Sequence, residues 1–346
     1  TRPVPNALVV PRIIDALRRG GLPADGITVL VATGLHRPDE GGVLASWTPP
    51  PGLEVIVHDA RDAAAHADLG RTGRGTPCRV DRRVVDAELR IAVGLVEPHF
   101  MAGFSGGRKL VAPGCAAEET IRRLHGHALL EDPRAALGNL EGNPLHEELL
   151  EILDRVGPLH SVDLVLDDAR RICHVGFGET RASHGAAVTA FRAAGEVRPG
   201  GPWPVVVTTG AGAPLDGTWY QTVKAIGAAA PAVAEGGTLF VASACSSLGS
   251  PGYRRAQERL VAEGPEGFMA HWRSGPASAI DAWQTAMQLR DARGIDVRLF
   301  TPNLPAADRA LTGLAHVDDL DAALEATGHR RVAVIPEGPY VLLAQV

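Results

Sequence analysis

Short runs of apolar residues alternate along this chain with longer segments of helical periodicity. In the first half, strands are predicted at residues 27–32, 53–58 and 89–96 and, as a pair, at 162–166 and 171–175, and helical patterns cover 6–19, 117–130, 143–156 and 180–194. Continuous apolar runs of this length are typical of strands buried in parallel sheets, whose crossover connections are helices. The chain is therefore predicted to have an α/β fold with mostly parallel sheets covered on both faces.

A stretch rich in proline and glycine, residues 196–204, divides this pattern. Beyond it, strands are predicted at 205–209, 238–242, 297–300 and 331–335, and helices at 219–229, 253–261, 277–291 and 317–326. Because 346 residues exceed what one core usually supports, we expect two α/β domains, 1–196 and 197–335, with the active site in the cleft between them. The tail, residues 336–346, is expected to return to the first domain.

Composition argues against several classes of partner. The formal net charge is −6 and no basic block occurs, which argues against a nucleic-acid partner. No window approaches the roughly eighteen apolar residues of a membrane helix and no signal peptide opens the chain, so no membrane partner is expected. The four cysteines lack CxxC spacing, which is typical of reduced thiols in a cytoplasmic protein.

The stretch after the apolar run 89–96 carries the first candidate site. Residues 97–110 read EPHFMAGFSGGRKL, with small residues at Ser105, Gly106 and Gly107. A backbone this bare allows an anion or a cofactor to approach closely. The spacing of a phosphate-binding P-loop is absent, because Leu110 follows Lys109. Lys109 is predicted to act covalently or electrostatically, the alternative being a solvated side chain.

Two histidines, His36 and His99, each follow a predicted strand. An imidazole titrates near neutrality and serves as a general acid or base. Either residue can instead be a hydrogen-bonded structural histidine. Two histidines at neighbouring strand ends are nevertheless the arrangement that a two-base racemase needs, with one histidine for each face of its substrate.

His125 lies sixteen residues after Lys109, on the predicted helix 117–130. One imidazole can bind a metal ion whose other ligands belong to a cofactor, and a surface histidine is the alternative. His127 points about 160–200° away around the same helix, so the two histidines are not expected to share a ligand.

In the second half, the predicted helix 219–229 carries Tyr220, Gln221 and Lys224 near its start. Gln221 and Lys224 are three residues apart and share a face. Near a helix N-terminus such a pair is suited to binding a carboxylate, and an exposed polar face is the alternative. Trp283 is interpreted either as a core residue or as the wall of a pocket.

A second glycine motif follows the predicted strand 205–209. Gly210 and Gly212 form a strand-to-GxG junction of the kind found in dinucleotide-binding folds. The third glycine position is Leu215 and Pro214 interrupts the turn, so the motif departs from the dinucleotide-binding pattern.

Taken in order and spacing, these segments resemble one family, the nickel-pincer-nucleotide-dependent lactate racemases and related 2-hydroxyacid racemases and epimerases. The resemblance covers nearly the whole chain and rests on Thr1-Arg2-Pro3, Ala32 to Arg37, Pro98 to Lys109, Pro113-Gly114, Thr120-Ile121, His125, Tyr220-Gln221 with Lys224, and Trp283. It implies an isomerase that acts on a small 2-hydroxyacid.

The resemblance also implies a cofactor, the nickel-pincer nucleotide, which is a pyridinium-3,5-bisthiocarboxylic acid mononucleotide carrying nickel. Lys109 would be joined to it as a thioamide, and His125 would supply the fourth ligand of a square-planar nickel ion. Ser105, Gly106 and Gly107 would contact the nucleotide. Enzymes of cofactor synthesis are then implied as partners in maturation.

In this family picture the α-hydrogen of the substrate leaves as hydride and returns to the opposite face. His36 or His99 takes the hydroxyl proton, and the other histidine acts as the acid. The resemblance assigns Arg2, Gln221 and Lys224 to the carboxylate and oxygen, and Tyr220 and Trp283 to the pocket walls.

Two other functions stay open, an NAD-dependent 2-hydroxyacid dehydrogenase that uses the Gly210 loop and a non-enzymatic cofactor-binding protein. Family members carry an acidic residue shortly before the segment that matches Thr1-Arg2-Pro3. This acid is expected either to be absent here or to lie in a segment before Thr1, which bears directly on the role of Arg2.

Overall fold

The computed structural model describes residues 4–36, 49, 51–275 and 281–344. Its helices are α1 Asn6–Arg19, α2 Arg82–Asp86, α3 Glu118–Leu124, α4 His127–Leu130, α5 Pro144–Val156, α6 Thr180–Gly195, α7 Trp219–Ala229, α8 Pro251–Ser274, α9 Ala282–Asp291, α10 Ala306–Arg309 and α11 Leu320–Glu325. Its strands are β1 Thr28–Val31, β2 Glu54–Val57, β3 His66–Arg71, β4 Pro77–Asp81, β5 Ile91–Leu95, β6 Pro98–His99, β7 Gly103–Phe104, β8 His160–Leu166, β9 Ile172–Glu179, β10 Glu196–Val197, β11 Trp203–Thr209, β12 Val233–Ala242, β13 Asp296–Phe300, β14 Ala315–His316, β15 Ala333–Ile335 and β16 Leu342–Leu343.

The described residues form two compact units, each made of three stretches of chain. Unit 1 lies within Thr1–Glu97, Ser105–Leu124 and Leu145–Phe191. Unit 2 lies within Pro98–Phe104, His125–Pro144 and Arg192–Val346. The single boundary after residue 196 stays a prediction, and the compact units differ from it because two stretches of the first half belong to unit 2.

Unit 1 contains a three-stranded sheet, β5-β8-β9, and a parallel pair, β1-β2. β5 runs parallel to β8, whereas β9 returns antiparallel to β8. Helix α1 packs on both sheets, because Val9 and Ile13 join the apolar cluster of β5 and β8 while Ile14 joins a second cluster with residues of β1 and β2. This packing fixes the ends of β1 and β5, from which two predicted site loops depart.

Unit 2 is built on a fully parallel sheet in the order β14-β13-β12-β11-β15. Helix α7 buries Trp219, Val223 and Ile226 in the core of this unit. The Oγ1 atom of Thr218 caps the helix by accepting the N–H of Gln221 at 3.3 Å. Tyr220, Gln221 and Lys224 lie between these buried positions. They are therefore half-exposed residues near the start of a well-anchored helix.

These sheets confirm the predicted fold class, α/β with mostly parallel strands. No helix in the described part of the chain has both the length and the apolar composition needed to cross a membrane.

The proline- and glycine-rich stretch and the tail differ from expectation. Residues Glu196–Val197 form β10, which pairs in parallel with β16 near the end of the chain. The tail up to residue 344 lies in unit 2, where Leu343 packs in the core, rather than in the unit that contains most of the first half. Leu343 and Val341 of the tail thus pack with residues of the second half of the chain, whereas Leu342 lies against Gly138.

The prediction of one continuous helix over 117–130 is wrong. Helix α3 ends at Leu124 and α4 begins at His127, so His125 lies in the turn between them. Gly126 is extended, with φ −81° and ψ 159°, and is the N-cap of α4. The angle expected between His125 and His127 on a single helix therefore does not apply.

Candidate functional site

The structure divides the predicted site residues between its two units. Unit 1 contains His36, Ser105, Gly106, Gly107 and Lys109. Unit 2 contains His99, His125, Tyr220, Gln221, Lys224 and Trp283. Arg2 lies outside the described residues.

In unit 1 the glycine-rich turn folds back onto the end of β5. Ser105 Oγ donates to Leu95 O at 2.8 Å and accepts the N–H of Glu97 at 3.0 Å. Gly106 has φ +78°, and a Cβ at this position would lie 2.7 Å from Val96 Cγ2. Because a side chain is excluded there, this glycine is required by the fold itself.

A buried polar cluster lies beneath this turn. Arg108 is 1% exposed, and its Nη1 donates to His184 Nε2 at 2.7 Å. The N–H of Gly107 donates to Asp163 Oδ1 at 2.9 Å. Burial lowers the pKa of Arg108 to about 9 and that of His184 to about 3, and it raises the pKa of Asp163. Arg108 is thus anchored inside the protein, and the side chain of the next residue, Lys109, is half-buried.

The turn that carries His36 is joined by backbone hydrogen bonds to the segment after Lys109. Gly34 N donates to Gly114 O at 2.9 Å, and Gly114 N donates to Lys109 O at 3.0 Å. His36 N donates to Thr33 O at 3.0 Å, and His36 is exposed. Unit 1 thus brings together two loops that are far apart in the sequence and carry a predicted base and the predicted tether.

In unit 2, one contact set connects His99 to helix α7. The rings of His99 and Phe100 stack with centroids 5.3 Å apart and planes at 30°. Lys224 Nζ lies 5.9 Å from the centroid of Phe100 and donates to Gln221 Oε1. A cation over an aromatic face is attracted by the ring quadrupole, which helps to orient the lysine.

The backbone around His99 indicates which nitrogen carries its proton. Nδ1 accepts the N–H groups of Met101 and Ala102 at 3.3 and 3.2 Å. A ring nitrogen that accepts hydrogen bonds carries no proton, so the neutral ring is protonated on Nε2.

A second contact set connects His125 to the same helix. The ring of His125 packs on Trp283 with centroids 4.6 Å apart. Trp283 Nε1 donates to Tyr220 OH at 3.2 Å, and the neighbouring Gln284 Nε2 donates to Tyr220 O at 2.8 Å. Trp283 is 5% exposed, so His125 rests on a fixed aromatic surface. Because Tyr220 and Lys224 belong to one helix, α7 joins the two sets.

His125 is the predicted metal ligand, and the structure shows which other donor groups accompany it. Within the described ranges, no group of three or more His, Cys, Asp or Glu residues is arranged to hold a metal ion. His125 offers one half-buried imidazole, which suffices where the remaining ligands come from a cofactor.

At the second glycine motif, Gly210 to Gly212, the space next to the first glycine is occupied by the protein's own side chains. A Cβ at Gly210 would lie 2.7 Å from Asp216 Cβ and 3.1 Å from Ser243 Oγ. Asp216 Oδ2 accepts the N–H of Ala244 at 3.1 Å. The missing side chain at position 210 is thus explained by the packing of Asp216.

Two contact residues were not predicted from the sequence, Phe100 and Gln284. Each is the immediate neighbour of a predicted residue, and that adjacency was the only local signal.

The composition gives a separate signal for two of the predicted residues, because only Lys109 and Lys224 among the 34 Lys and Arg residues are lysines. Because every other basic residue of the Lys and Arg set is arginine, these two lysines stand out in the sequence.

Comparison with known families assigns both halves of the chain. Residues 1–138 match the lactate racemase N-terminal domain, and residues 201–343 match the lactate racemase C-terminal domain.

Two curated relatives are lactate racemases. The protein of Thermoanaerobacterium thermosaccharolyticum is 31% identical over 264 residues, which are 74% of this chain and 60% of the relative. That of Lactiplantibacillus plantarum is 32% identical over 257 residues, with corresponding shares of 73% and 60%. The match thus spans about three fifths of the length of these relatives.

Two solved structures share the fold. The lactate racemase apoprotein from Thermoanaerobacterium thermosaccharolyticum has a TM-score of 0.91 and 27% identity, and the match covers 99% of this chain and 84% of that one. A protein from Thermotoga maritima has a TM-score of 0.74 at 17% identity, with coverage of 99% and 91%, and supports the fold alone.

Proposed function

Because the chain belongs to the lactate racemase family, we propose that it is an isomerase, a racemase or epimerase of a small 2-hydroxyacid. The observation that carries this proposal is the pair of contact sets in unit 2. The predicted site residues of unit 2 are spread over 185 positions of the sequence, from His99 to Trp283. In the structure they are connected through contacts with α7.

Lys224 and Gln221 are proposed to bind the substrate carboxylate. The ammonium group gives a charge-assisted hydrogen bond, and the amide of Gln221, already bonded to it, supplies further donors. Gln221 is the third residue of α7, where the helix dipole favours an anion. Arg2 is proposed as a further carboxylate ligand.

His99 and His36 are proposed to move the hydroxyl proton. Because Nδ1 of His99 accepts two backbone N–H groups, Nε2 is proposed as the ring nitrogen that faces the substrate hydroxyl group and takes part in moving its proton. One of the two histidines, His99 or the exposed His36, is proposed to take the hydroxyl proton, and the other to act as the acid. In the reverse reaction the roles exchange, as an isomerase requires.

Lys109 and His125 are proposed to hold the nickel-pincer nucleotide, Lys109 through a thioamide and His125 through nickel. When bound, this group would supply the hydride-transfer chemistry that the protein's own side chains lack. The chain fits such a group, since Lys109 is half-buried above the anchored Arg108 and His125 is a single imidazole on an aromatic surface. Ser105, Gly106 and Gly107 are proposed contacts of the nucleotide.

Maturation by cofactor-synthesis enzymes and a cytoplasmic location complete the proposal. The test therefore uses protein made together with those enzymes. Each enantiomer of lactate and of longer 2-hydroxyacids, deuterated at the α-carbon, is incubated with the protein and analysed by chiral chromatography with mass detection. We expect interconversion with the deuterium retained. A protein loaded with cofactor that leaves every enantiomer unchanged would refute the proposal.

The two lysines allow a paired test of the tether. Lys109→Arg keeps the charge but removes the nucleophilic amine, so intact-mass analysis should show loss of the cofactor adduct. Lys224→Arg is the matched control and should keep the adduct while lowering kcat/KM by about tenfold or more, because a carboxylate contact is changed. An adduct that survives in Lys109→Arg would rule out the tether.

A further inference from the structure

Two stretches of the first half of the chain belong to unit 2, and we call them the histidine segments. They are Pro98–Phe104, which carries His99, and His125–Pro144, which begins at His125. The two segments are joined to each other, since Gly103 forms a bridge with Leu137. What fixes them to the rest of unit 2 decides where both imidazoles lie.

Arg290, near the end of α9, bonds to backbone oxygens of both segments. Its Nη1 donates to Ala135 O at 2.8 Å and to Leu130 O at 3.3 Å. Its Nη2 donates to Phe100 O at 3.4 Å. The same helix carries Trp283, on which His125 rests. One side chain therefore connects the two segments to the helix that bears the aromatic wall.

The guanidinium of Arg290 is itself held in place. Nε donates to Asp291 Oδ1 at 2.7 Å, and the side chain of Asp291 is 11% exposed. On the other side of this carboxylate, a Cβ at Gly227 would lie 2.4 Å from Asp291 Oδ2. The close approach of α7 to Asp291 limits the movement of the carboxylate and so orients the arginine.

Other arginines contact the second segment at its surface. Arg273 pairs with Glu131 at 2.6 Å, with side chains 51% and 31% exposed, and Arg192 donates to Gly138 O at 2.5 Å. Exposed ion pairs contribute little to stability. Arg290, whose side chain is 24% exposed, reaches both segments from a more buried position.

We propose that Arg290 is a positioning residue that fixes the two histidine segments against α9, so that His99 and His125 keep their places beside Phe100 and Trp283. A guanidinium has five N–H donors in one plane, which lets it bond to several carbonyl groups at once. A lysine has one donor atom and cannot reproduce this arrangement. The functional meaning of the inference rests on the proposed roles of the two histidines.

The test compares Arg290→Met with Arg309→Met in the full chain. Arg309 is a matched control in unit 2, because its side chain is also 24% exposed and donates to two backbone oxygens, Leu304 O and Pro302 O, and to the carboxylate of Asp318. Hydrogen–deuterium exchange of the apoprotein is measured by peptide mass spectrometry. Arg290→Met should raise exchange in both histidine segments by about tenfold or more, since hydrogen bonds to a charged group are lost. Arg309→Met should raise it around residues 302–304 only.

Arg290→Lys is expected to resemble Arg290→Met. Unchanged exchange in the histidine segments of Arg290→Met, an equal rise there in Arg309→Met, or wild-type exchange in Arg290→Lys would each overturn the proposal.

A second measurement separates this inference from the proposed function. Nickel release from the loaded protein should be about tenfold faster in Arg290→Met, because His125 is no longer held. Loosened segments with unchanged nickel retention would uphold the role of Arg290 and count against His125 as a nickel ligand.

Discussion

Among single residues, two histidines near the cation of Arg108, the buried His184 and the half-buried His146, have the most direct thermodynamic consequence. Burial lowers the pKa of both His184 and His146 to about 3, and the nearby cation of Arg108 acts in the same direction. Both rings are therefore neutral in the folded protein at any pH near neutrality. Unfolding exposes them to water, where an imidazole takes up a proton below about pH 6.5.

The sign of the pH dependence follows from this difference. The stabilising contribution of each histidine is complete above about pH 6.5 and falls as the pH drops toward 3, by about 1.4 kcal/mol per pH unit. We expect His184→Gln to reduce the slope of unfolding free energy against pH by about 1 kcal/mol per unit between about pH 5.5 and 4.5. Urea unfolding at these two pH values measures it, and an unaltered slope would contradict the neutral state of His184.

Among the elements, the short hairpin of β6 and β7 shows how one glycine permits a close contact. Gly103 has φ +74°, and a Cβ there would lie 2.2 Å from Asn139 O. This backbone oxygen cannot move away as a flexible side chain would. The hairpin carries His99, so the close contact between Gly103 and Asn139 also helps to fix the position of His99.

We expect Gly103→Ala to lower the free energy of unfolding by about 3 kcal/mol, because a steric clash adds to backbone strain. Gly157→Ala is the control for strain alone, since Gly157 has φ +95° with no atom within 4 Å of its Cβ position, and it should cost about 1 kcal/mol. Denaturant unfolding compares the two variants. Equal losses of unfolding free energy in the two variants would contradict the steric clash, because they would show that the Asn139 oxygen moves away from the added methyl group.

The elements also show what the sequence can and cannot reveal. Strands β11 and β13 overlap the predicted strands 205–209 and 297–300. Strand β12 begins at Val233, five residues before the predicted run, because pairing with Trp203 extends it through residues that carry no strand pattern. The break before His127 had a local signal in Gly126, which the helical periodicity of the flanking residues outweighed.

The same distinction between local sequence signals and long-range contacts applies to the candidate site. The glycines, the two lysines and the histidines next to predicted strand ends are visible as local patterns. Arg290 is not, because its partners lie more than 150 positions earlier and no periodicity marks an arginine that bonds to backbone oxygens. Contacts of this kind are set by the tertiary fold and are inaccessible to local reasoning.

For the whole molecule, the distribution of the chain over its units predicts how fragments behave. A fragment of residues 197–346 contains α7 and α9 but lacks both histidine segments. We expect it to unfold less cooperatively than the full chain and to bind a hydrophobic dye, because surfaces normally covered by these segments are exposed.

A peptide of residues 125–144, added to this fragment, supplies the second segment and should lower the dye binding. Thermal unfolding followed by circular dichroism, with dye fluorescence, compares the fragment, the fragment with the peptide, and the full chain. Full-chain cooperativity in the 197–346 fragment would show that this half folds independently and would support the boundary predicted after residue 196.

The path of the chain through its two units also limits how relatives of this protein can exchange parts. Recombination at the proline-rich stretch would pair α9 of one parent with histidine segments inherited from the other. The guanidinium at position 290 and the oxygens it meets would then come from different lineages. Hybrid genes should therefore survive only where both ancestors kept the same backbone geometry around positions 100, 130 and 135, which ties the ancestry of the two halves together.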